Sequence, residues 1–393
     1  MLKYWLWLSL LQGVPRRKKV ALIQQFPCPE DIYLRVDYSD VYGLTEQEQK
    51  ALNQKDLTDA QQTLNICKRK GIHIVTIGDK EYPDRLRNIA DPPILLYYRG
   101  VLPDLDAAPA IGIVGTRKNT AYGTKAAQQF GKEIAEGGGI VISGGAKGID
   151  SEALRGALDG GGLTVAVLGC GVDITYPSNN RQLFDAIWAE GCLMSEYPPG
   201  DKPEGWHFPE RNRIISGLSD AIVVIEAPKP SGALITAEAA LEQGKDVFTV
   251  PGNIDMPTCR GSNELLRNGA MVALSGLDVM NAYMTEATKP RLLPERAPVI
   301  LAQTVKIPVI DKKVVDNPAN CSYTATTVGQ TELSDAEQRI LNCLSPTPKP
   351  MDEVLAQIEL APGEAFRLIT RLSLKGLVEN HPGKMISAKI QHK

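Results

Sequence analysis

The chain reads as an α/β protein built on a Rossmann-like, doubly wound, mostly parallel sheet, with a helical domain before the sheet and a winged helix after it. Three observations predict this. Between about residues 108 and 275 an apolar run, a Gly/Ser/Pro break and a helical pattern recur. Several runs, such as Ile111–Val114, Ile140–Ile142 and Ala221–Glu226, are apolar almost throughout, as strands covered on both faces require. The breaks carry cations: Arg117 and Lys118 after Gly115 and Thr116, Lys147 inside Ser143–Gly148, and Arg211 and Arg213 in the helical start Phe208–Ser219.

The 393 residues exceed what one core ordinarily supports and imply two or three domains. Residues 1–80 read as a small helical domain of the SAM-like, helix-hairpin-helix kind, ending in the strand Ile72–Ile77. Its apolar start, Met1–Leu11, resembles a signal peptide, but the stretch is short and no small-x-small cleavage site follows. A buried first helix is the expectation. The turn Gly13-Val14-Pro15 leads into the basic cluster Arg16–Lys19. A glycine turn can offer backbone N–H groups to a phosphate. Pro15 removes one donor, so this hairpin is read as a packing or protein-contact element.

Residues 81–285 hold the sheet, with strands at Ile111–Val114, Ile140–Ile142, Leu163–Leu168, Leu193–Glu196, Ala221–Glu226 and Val247–Val250, and helices such as Ala121–Ala135 and Leu234–Glu242. Right-handed crossovers place ligands at the carboxyl ends of such strands, where the cationic breaks fall. Residues 286–332 lose the periodicity and carry five prolines (290, 294, 298, 308 and 318), the composition of a linker. Residues 333–393 then give helices over Leu333–Leu344, Met351–Ile358 and Gly363–Lys375 and a hairpin over Leu377–Ser387 with its turn at Pro382-Gly383. Three helices and a wing make a winged helix. Its 8 basic and 7 acidic residues are weak for phosphate contact, so a protein partner suits it at least as well as DNA.

Whole-chain charge decides little: 43 basic and 46 acidic residues leave a net charge of −3, so a polyanion has to be held by a local cluster. Seven scattered cysteines with no Cys-x-x-Cys pair argue for a reducing, cytoplasmic compartment and against a zinc or disulfide framework. No segment approaches the roughly 20 apolar residues of a membrane span.

The chain resembles the DNA processing protein A family (DprA, also called Smf), bacterial proteins of natural transformation, competence and recombination. The motifs carrying the resemblance run in order: Tyr82-Pro83, Asp91-Pro92-Pro93, Leu96–Gly100, Gly115-Thr116-Arg117, Ser143–Asp150, Glu196–Gly200, Phe208–Ser219, Ser231–Ala237 and Val250-Pro251-Gly252. The resemblance implies single-stranded DNA binding without catalysis, dimerisation through the Rossmann-like domain and recruitment of the recombinase RecA. Two departures stand out. Gly-Thr-Arg replaces the usual Gly-Ser-Arg, which keeps the hydroxyl, and Gly13-Val14-Pro15 replaces a two-glycine turn.

The residue chemistry agrees, because sequence-tolerant binding of a single strand needs a cationic groove with donors. Arg117 is expected to clamp phosphate with its two-pronged guanidinium, and Lys147 to act as a mobile point charge. Ser143 and the N–H groups of Gly144, Gly145 and Gly148 are expected to form a nest. Gly115, Thr116, Lys118 and Asn212 complete the expected DNA-binding set, with one of Arg211 and Arg213 on the strand and the other paired to Glu196 or Glu226. Trp206, Phe208 and Tyr176 could stack on bases, although packing at the sheet edge is the first reading.

An enzymatic alternative is a nucleotide phosphoribohydrolase, whose Pro-Gly-Gly-x-Gly-Thr-x-x-Glu loop corresponds to Ser231–Glu238. Glu238 is retained and most glycines are lost. A dehydrogenase is disfavoured because Gly112–Arg117 does not match Gly-x-Gly-x-x-Gly. No Walker A lysine motif or metal-ligand cluster is present in the sequence, so no cofactor is expected, and His207 beside Phe208 is read as structural.

Overall fold

Strands that are apolar at every position need cover on both faces, and the computed structural model supplies it. Its described residues are 1–284 and, in the carboxyl-terminal part, 335–345, 347–350, 353–354, 368–369, 372, 377–381 and 385–388. They fall in two units, Met1–Pro298 and Val299–Lys393. The expected linker 286–332, most of the second and third expected winged-helix helices, and the Pro382-Gly383 turn lie outside the described residues.

The first unit holds a nine-stranded sheet of β1 (His73–Thr76), β2 (Leu95–Gly100), β3 (Ala110–Val114), β4 (Ile140–Ser143), β5 (Thr164–Val167), β6 (Cys192–Ser195), β7 (Ala221–Val224), β8 (Asp246–Thr249) and β9 (Met271–Val272). Its order is β1-β2-β6-β5-β4-β3-β7-β8-β9. The strands from β3 to β9 run parallel, and the antiparallel pair β1 and β2 extends one edge. The helices of this region are α6 (Asp84–Arg87), α7 (Ala121–Glu136), α8 (Ile149–Asp159), α9 (Arg181–Glu190), α10 (His207–Leu218), α11 (Gly232–Glu242), α12 (Arg260–Arg267) and α13 (Gly276–Asn281).

Period-two alternation divides the strand residues between two layers. Ile111, Ile113, Val141 and Val223 pack with Phe130 and Ile134 of α7, Leu154 of α8 and Phe184 of α9. Val114, Ile142, Val167, Ile222 and Val224 pack instead with Ile214, Ile215 and Leu218 of α10 and with Ala237 of α11. From β3 the chain winds through β4 and β5 to β6, and α10 then returns it across the sheet to β7 on the other side of β3. The switch point therefore lies between β3 and β7.

Five helices precede the sheet: α1 (Leu2–Leu10), α2 (Arg16–Gln25), α3 (Pro29–Leu34), α4 (Glu46–Leu52) and α5 (Thr58–Lys70). The apolar start is core, since Tyr4, Trp5, Leu6, Trp7 and Leu8 are all buried in α1. A reciprocal capping box opens α4, with Thr45 Oγ1 accepting from Glu48 N at 3.3 Å and Glu48 Oε2 accepting from Thr45 N at 2.7 Å. This helical core closes on Leu95 and Tyr97 of β2. The strand expected to end the helical domain is β1, which pairs with β2 through His73↔Tyr98 and Thr76↔Leu95. A boundary at residue 80 therefore cuts through the sheet.

Three of the four hairpin cations, Arg16, Lys18 and Lys19, bond to the protein itself. Lys18 donates to the Gly43 carbonyl, and Lys19 Nζ donates to Ser9 O at 2.7 Å. Arg16 meets Glu210 at 2.9 Å, Glu196 at 3.3 Å and Asp91 at 3.7 Å. Burial pushes Lys19 down to about 8, opposed by the Glu196 carboxylate.

In the second unit, α14 (Asp335–Cys343) accompanies a three-stranded sheet of β10 (Lys349–Pro350), β11 (Val378–His381) and β12 (Met385–Ala388), ordered β10-β12-β11. The expected hairpin is antiparallel, with Val378↔Ala388 and His381↔Met385. Ile340, Val354, Ile369, Leu372, Val378 and Ile386 form its core.

Leu95 is fully buried where the helical core meets β2. Leu95→Ala is expected to cost about 2–5 kcal/mol, read from the shift of the urea unfolding midpoint at unchanged slope.

Candidate functional site

The first place to look for a ligand in an open parallel sheet is the amino-terminal end of the helix after the switch-point strand. Here the protein fills it with its own anion. Glu226, just beyond β7, is buried; its carboxylate accepts from Thr120 N at 2.9 Å and Thr120 Oγ1 at 2.6 Å. Thr120 Oγ1 in turn caps α7 by accepting from Gly123 N at 3.1 Å, and Thr116 N donates to Glu226 O at 2.7 Å. A carboxylate at a helix start is stabilised by the unpaired N–H groups and the helix dipole, so it occupies the position a phosphate would take.

The open site lies on the β4 and β5 side of β3. A cavity of about 100 Å³ is bounded by Arg117 after β3, Gly144, Ala146 and Lys147 after β4, Leu168 to Cys170 and Tyr176 after β5, and Phe208 and Arg211 of α10. Two glycines permit this convergence. Gly148 has φ +94°, and a Cβ there would run into the Thr116 carbonyl and the Arg117 backbone, so only glycine lets the two loops touch. At Gly144 a Cβ would fall 2.6 Å from both Arg211 Nη2 and Asp150 Oδ2.

Those two charges form the floor. Arg211 is buried, and its Nη1 donates to Gly144 O at 2.7 Å and also to Val167 O. Its Nε has no hydrogen-bond partner among the described residues. Burial holds the guanidinium below its ordinary pKa, while Asp150 acts in the opposite direction. Burial pushes Asp150 up to about 6, opposed by Arg211 and by the N–H groups of Ala146 and Gly115.

The rim is different in character. Arg117, Lys118 and Lys147 are exposed, and none forms an ion pair among the described residues. The Arg117 guanidinium lies over the Phe208 ring, 5.4 Å from its centroid, and Phe208 packs on Tyr176 at 5.6 Å. Free cations beside aromatic faces suit a ligand that combines anionic groups with flat rings.

Several expected contacts are redirected. Ser143 is fully buried and donates to Ile113 O at 2.6 Å, because the last residue of β4 points inward. Thr116 is buried and its Oγ1 accepts from Lys118 N at 3.2 Å. Asn212 Nδ2 donates to Gly232 O at 3.3 Å. Arg213 is the arginine that pairs with Glu196, at 2.5 Å, and it also lies 3.5 Å from Asp91. Arg211 is not displayed on the surface but underlies the cavity. Conversely, Phe208 and Tyr176, first read as packing, line the opening; nothing in their spacing separates the two roles.

The acids near the site are committed elsewhere: Glu196 to Arg16 and Arg213, Glu226 to the cap of α7, and Asp150 to the floor. Glu238 is exposed on α11. Among the described residues no group of three His, Cys, Asp or Glu side chains could hold a metal ion, and no helix is long and apolar enough to cross a membrane.

Fold and site together define a class: a Rossmann-like domain whose nucleotide position is filled from within and whose neighbouring loops carry exposed cations beside aromatic rings. Residues 73–284 match the family model described as DNA recombination-mediator protein A, and residues 324–384 match the DprA winged helix domain. The chain is 33% identical to Protein Smf of Synechocystis over 97% of both sequences. It is 42% identical to the DNA processing protein DprA of Bacillus subtilis, over 55% of this chain and 73% of that one. The crystal structure of DprA from Streptococcus pneumoniae superposes with a TM-score of 0.64 at 33% identity, covering 72% of this chain and 99% of that chain. The chain belongs to the DprA/Smf family of DNA recombination-mediator proteins, and its carboxyl-terminal domain is that family's winged helix.

Asp150 makes stability depend on pH with a definite sign. Its folded pKa of about 6 lies above the ordinary carboxyl value of 3.8, so its favourable contribution is complete below about pH 4 and is lost as pH rises through about 6. Measured against Asp150→Asn in urea titrations, the natural protein is expected to lose relative stability between about pH 4 and 7. A constant difference would mean that Asp150 ionises normally.

Proposed function

We propose that the protein is a non-catalytic single-stranded DNA-binding protein. In this reading it acts as a homodimer, protects incoming or recombining DNA in the cytoplasm and loads the recombinase RecA, in natural transformation or homologous recombination. The observation that carries the reading is the Arg117 guanidinium on the Phe208 ring, without an ion pair among the described residues, with Lys147 lining the same cavity. Single strands offer phosphates and unstacked base faces together, whereas a duplex hides its faces in the stack. A cavity of about 100 Å³ suits one such group.

Dimer formation and RecA recruitment rest on family membership. For the dimer there is also an exposed apolar set at the sheet's β9 edge, Val272, Leu274 and Leu277. Edge strands with apolar neighbours are natural pairing surfaces. The phosphoribohydrolase alternative is the weaker reading, because Glu238 stands exposed on α11 behind a loop that lacks the phosphate-binding glycines.

Mobility-shift assays test this. Single strands are expected to bind more tightly than duplex, with each neutralised phosphate contributing about −0.7 to the slope of log K against log salt. Arg117→Ala and Lys147→Ala should each lose about 1.5–3 kcal/mol, roughly ten- to a hundredfold, with near-normal thermal stability. Equal affinity for duplex would overturn the proposal.

Incubation with nucleoside monophosphates or DNA, with or without divalent metal, is expected to yield no hydrolysis. Release of free base that disappears in Glu238→Gln would establish the enzymatic alternative.

A further inference from the structure

Trp206, at the amino-terminal cap of α10, has a geometry that packing alone does not explain. It is 60% exposed, although the rest of its aromatic group is buried. His207 is buried, stacks on Tyr197 with centroids 3.8 Å apart, and is anchored by Nδ1 to Gly169 O at 3.0 Å. Trp206 stands edge-on to both, 4.1 Å from His207 at 75° and 6.3 Å from Tyr197 at 82°. The indole is thus propped in one orientation while much of its surface faces solvent. A held aromatic face loses little side-chain entropy when something stacks on it.

What lies around it identifies the occupant. Trp206 borders a cleft of about 840 Å³ between α10 and the α1–α2 turn, whose lining includes Arg17. Of the acids there, Asp91, Glu196 and Glu210 are engaged by Arg16, and Glu196 and Asp91 also by Arg213. Asp201 and Glu204 stay unengaged by any cation among the described residues, so the cleft is not a general phosphate trough. Arg17 is exposed and makes no ion pair among the described residues. Two residues along the same helix start, Phe208 lines the smaller cavity. A strand that left the Arg117 and Phe208 position past the start of α10 and entered the cleft would meet a second ring there, with Arg17 also in the cleft lining.

We infer that Trp206 is a second stacking subsite for a base of single-stranded DNA, continuing the strand from the Phe208 cavity toward Arg17 on the helical domain. This rests on the proposed single-stranded DNA binding and extends its path across the cleft. Stacking accepts any base, so the subsite adds affinity without sequence preference and, unlike a phosphate contact, without salt dependence.

Of the four tryptophans, Trp5 and Trp7 are buried and Trp188 lies under the Arg99 guanidinium at 3.5 Å, so Trp206 is the natural reporter. Titration of the full-length protein with a homothymidine strand is expected to quench intrinsic fluorescence. The quench should persist in Trp188→Phe and vanish in Trp206→Phe, which keeps a ring and near-normal affinity. Trp206→Ala should bind about five- to a hundredfold more weakly with the salt slope unchanged, whereas Arg117→Ala lowers the slope. Quenching that survives Trp206→Phe, or normal affinity in Trp206→Ala, overturns the inference while leaving single-stranded DNA binding intact. Quenching by the recombinase and not by the strand also overturns it and assigns the ring to a protein contact. If the natural protein fails to bind the strand at all, the proposed function itself falls.

Discussion

The carboxyl edge of the sheet depends on one buried guanidinium. Arg211 bonds the carbonyls of Gly144 and Val167, which are the exits of β4 and β5, and so joins the two loops that form the floor and one wall of the cavity. A buried arginine is costly to desolvate and is stable only where carbonyls and a carboxylate surround it. Gly144 makes that possible by leaving room for Arg211 and Asp150 beneath it. The exposed cations Arg117 and Lys147 thus stand at the rim of a cavity whose floor is a buried pair of opposite charges.

Glu226 performs the complementary task on the other side of β3. By holding Thr120, the residue that caps α7, its carboxylate fills the helix start where in other doubly wound folds a nucleotide phosphate sits. The sheet keeps its architecture and loses that ligand position. The adjacent loops instead border a separate cavity, lined by Arg117, Lys147 and Phe208.

A third charge network ties the helical segment to this edge. Asp91, Glu196 and Glu210 receive Arg16 from α2, while Arg213 reaches Asp91 and Glu196 from α10. Since α10 also carries Phe208 and Arg211, the helix that shapes the cavity is the one gripped by the helical segment. The basic cluster after Gly13 thus acts chiefly as an anchor, leaving Arg17 as its exposed cation without an ion pair among the described residues.

Much of this was legible in the residues. Near-continuous apolar strands separated by helical periods point to a mostly parallel sheet with helices on both faces, since such strands need cover on each side. The cationic breaks fall at strand ends because turns take glycine and polar residues there. That Arg117 and Lys147 lie in the loops after β3 and β4 could be read from local pattern. Tertiary packing alone decided the rest. Ser143 and Arg211 are polar residues that local pattern assigns to the surface, and only the pleat of β4 and the packing of α10 against the β4 and β5 exits turn them inward. Which arginine took Glu196, whether Tyr176 and Phe208 were covered, and that β1 belongs to the sheet all depend on contacts between residues far apart in sequence. A local pattern fixes which way a strand or helix faces, but not which distant group arrives to meet it.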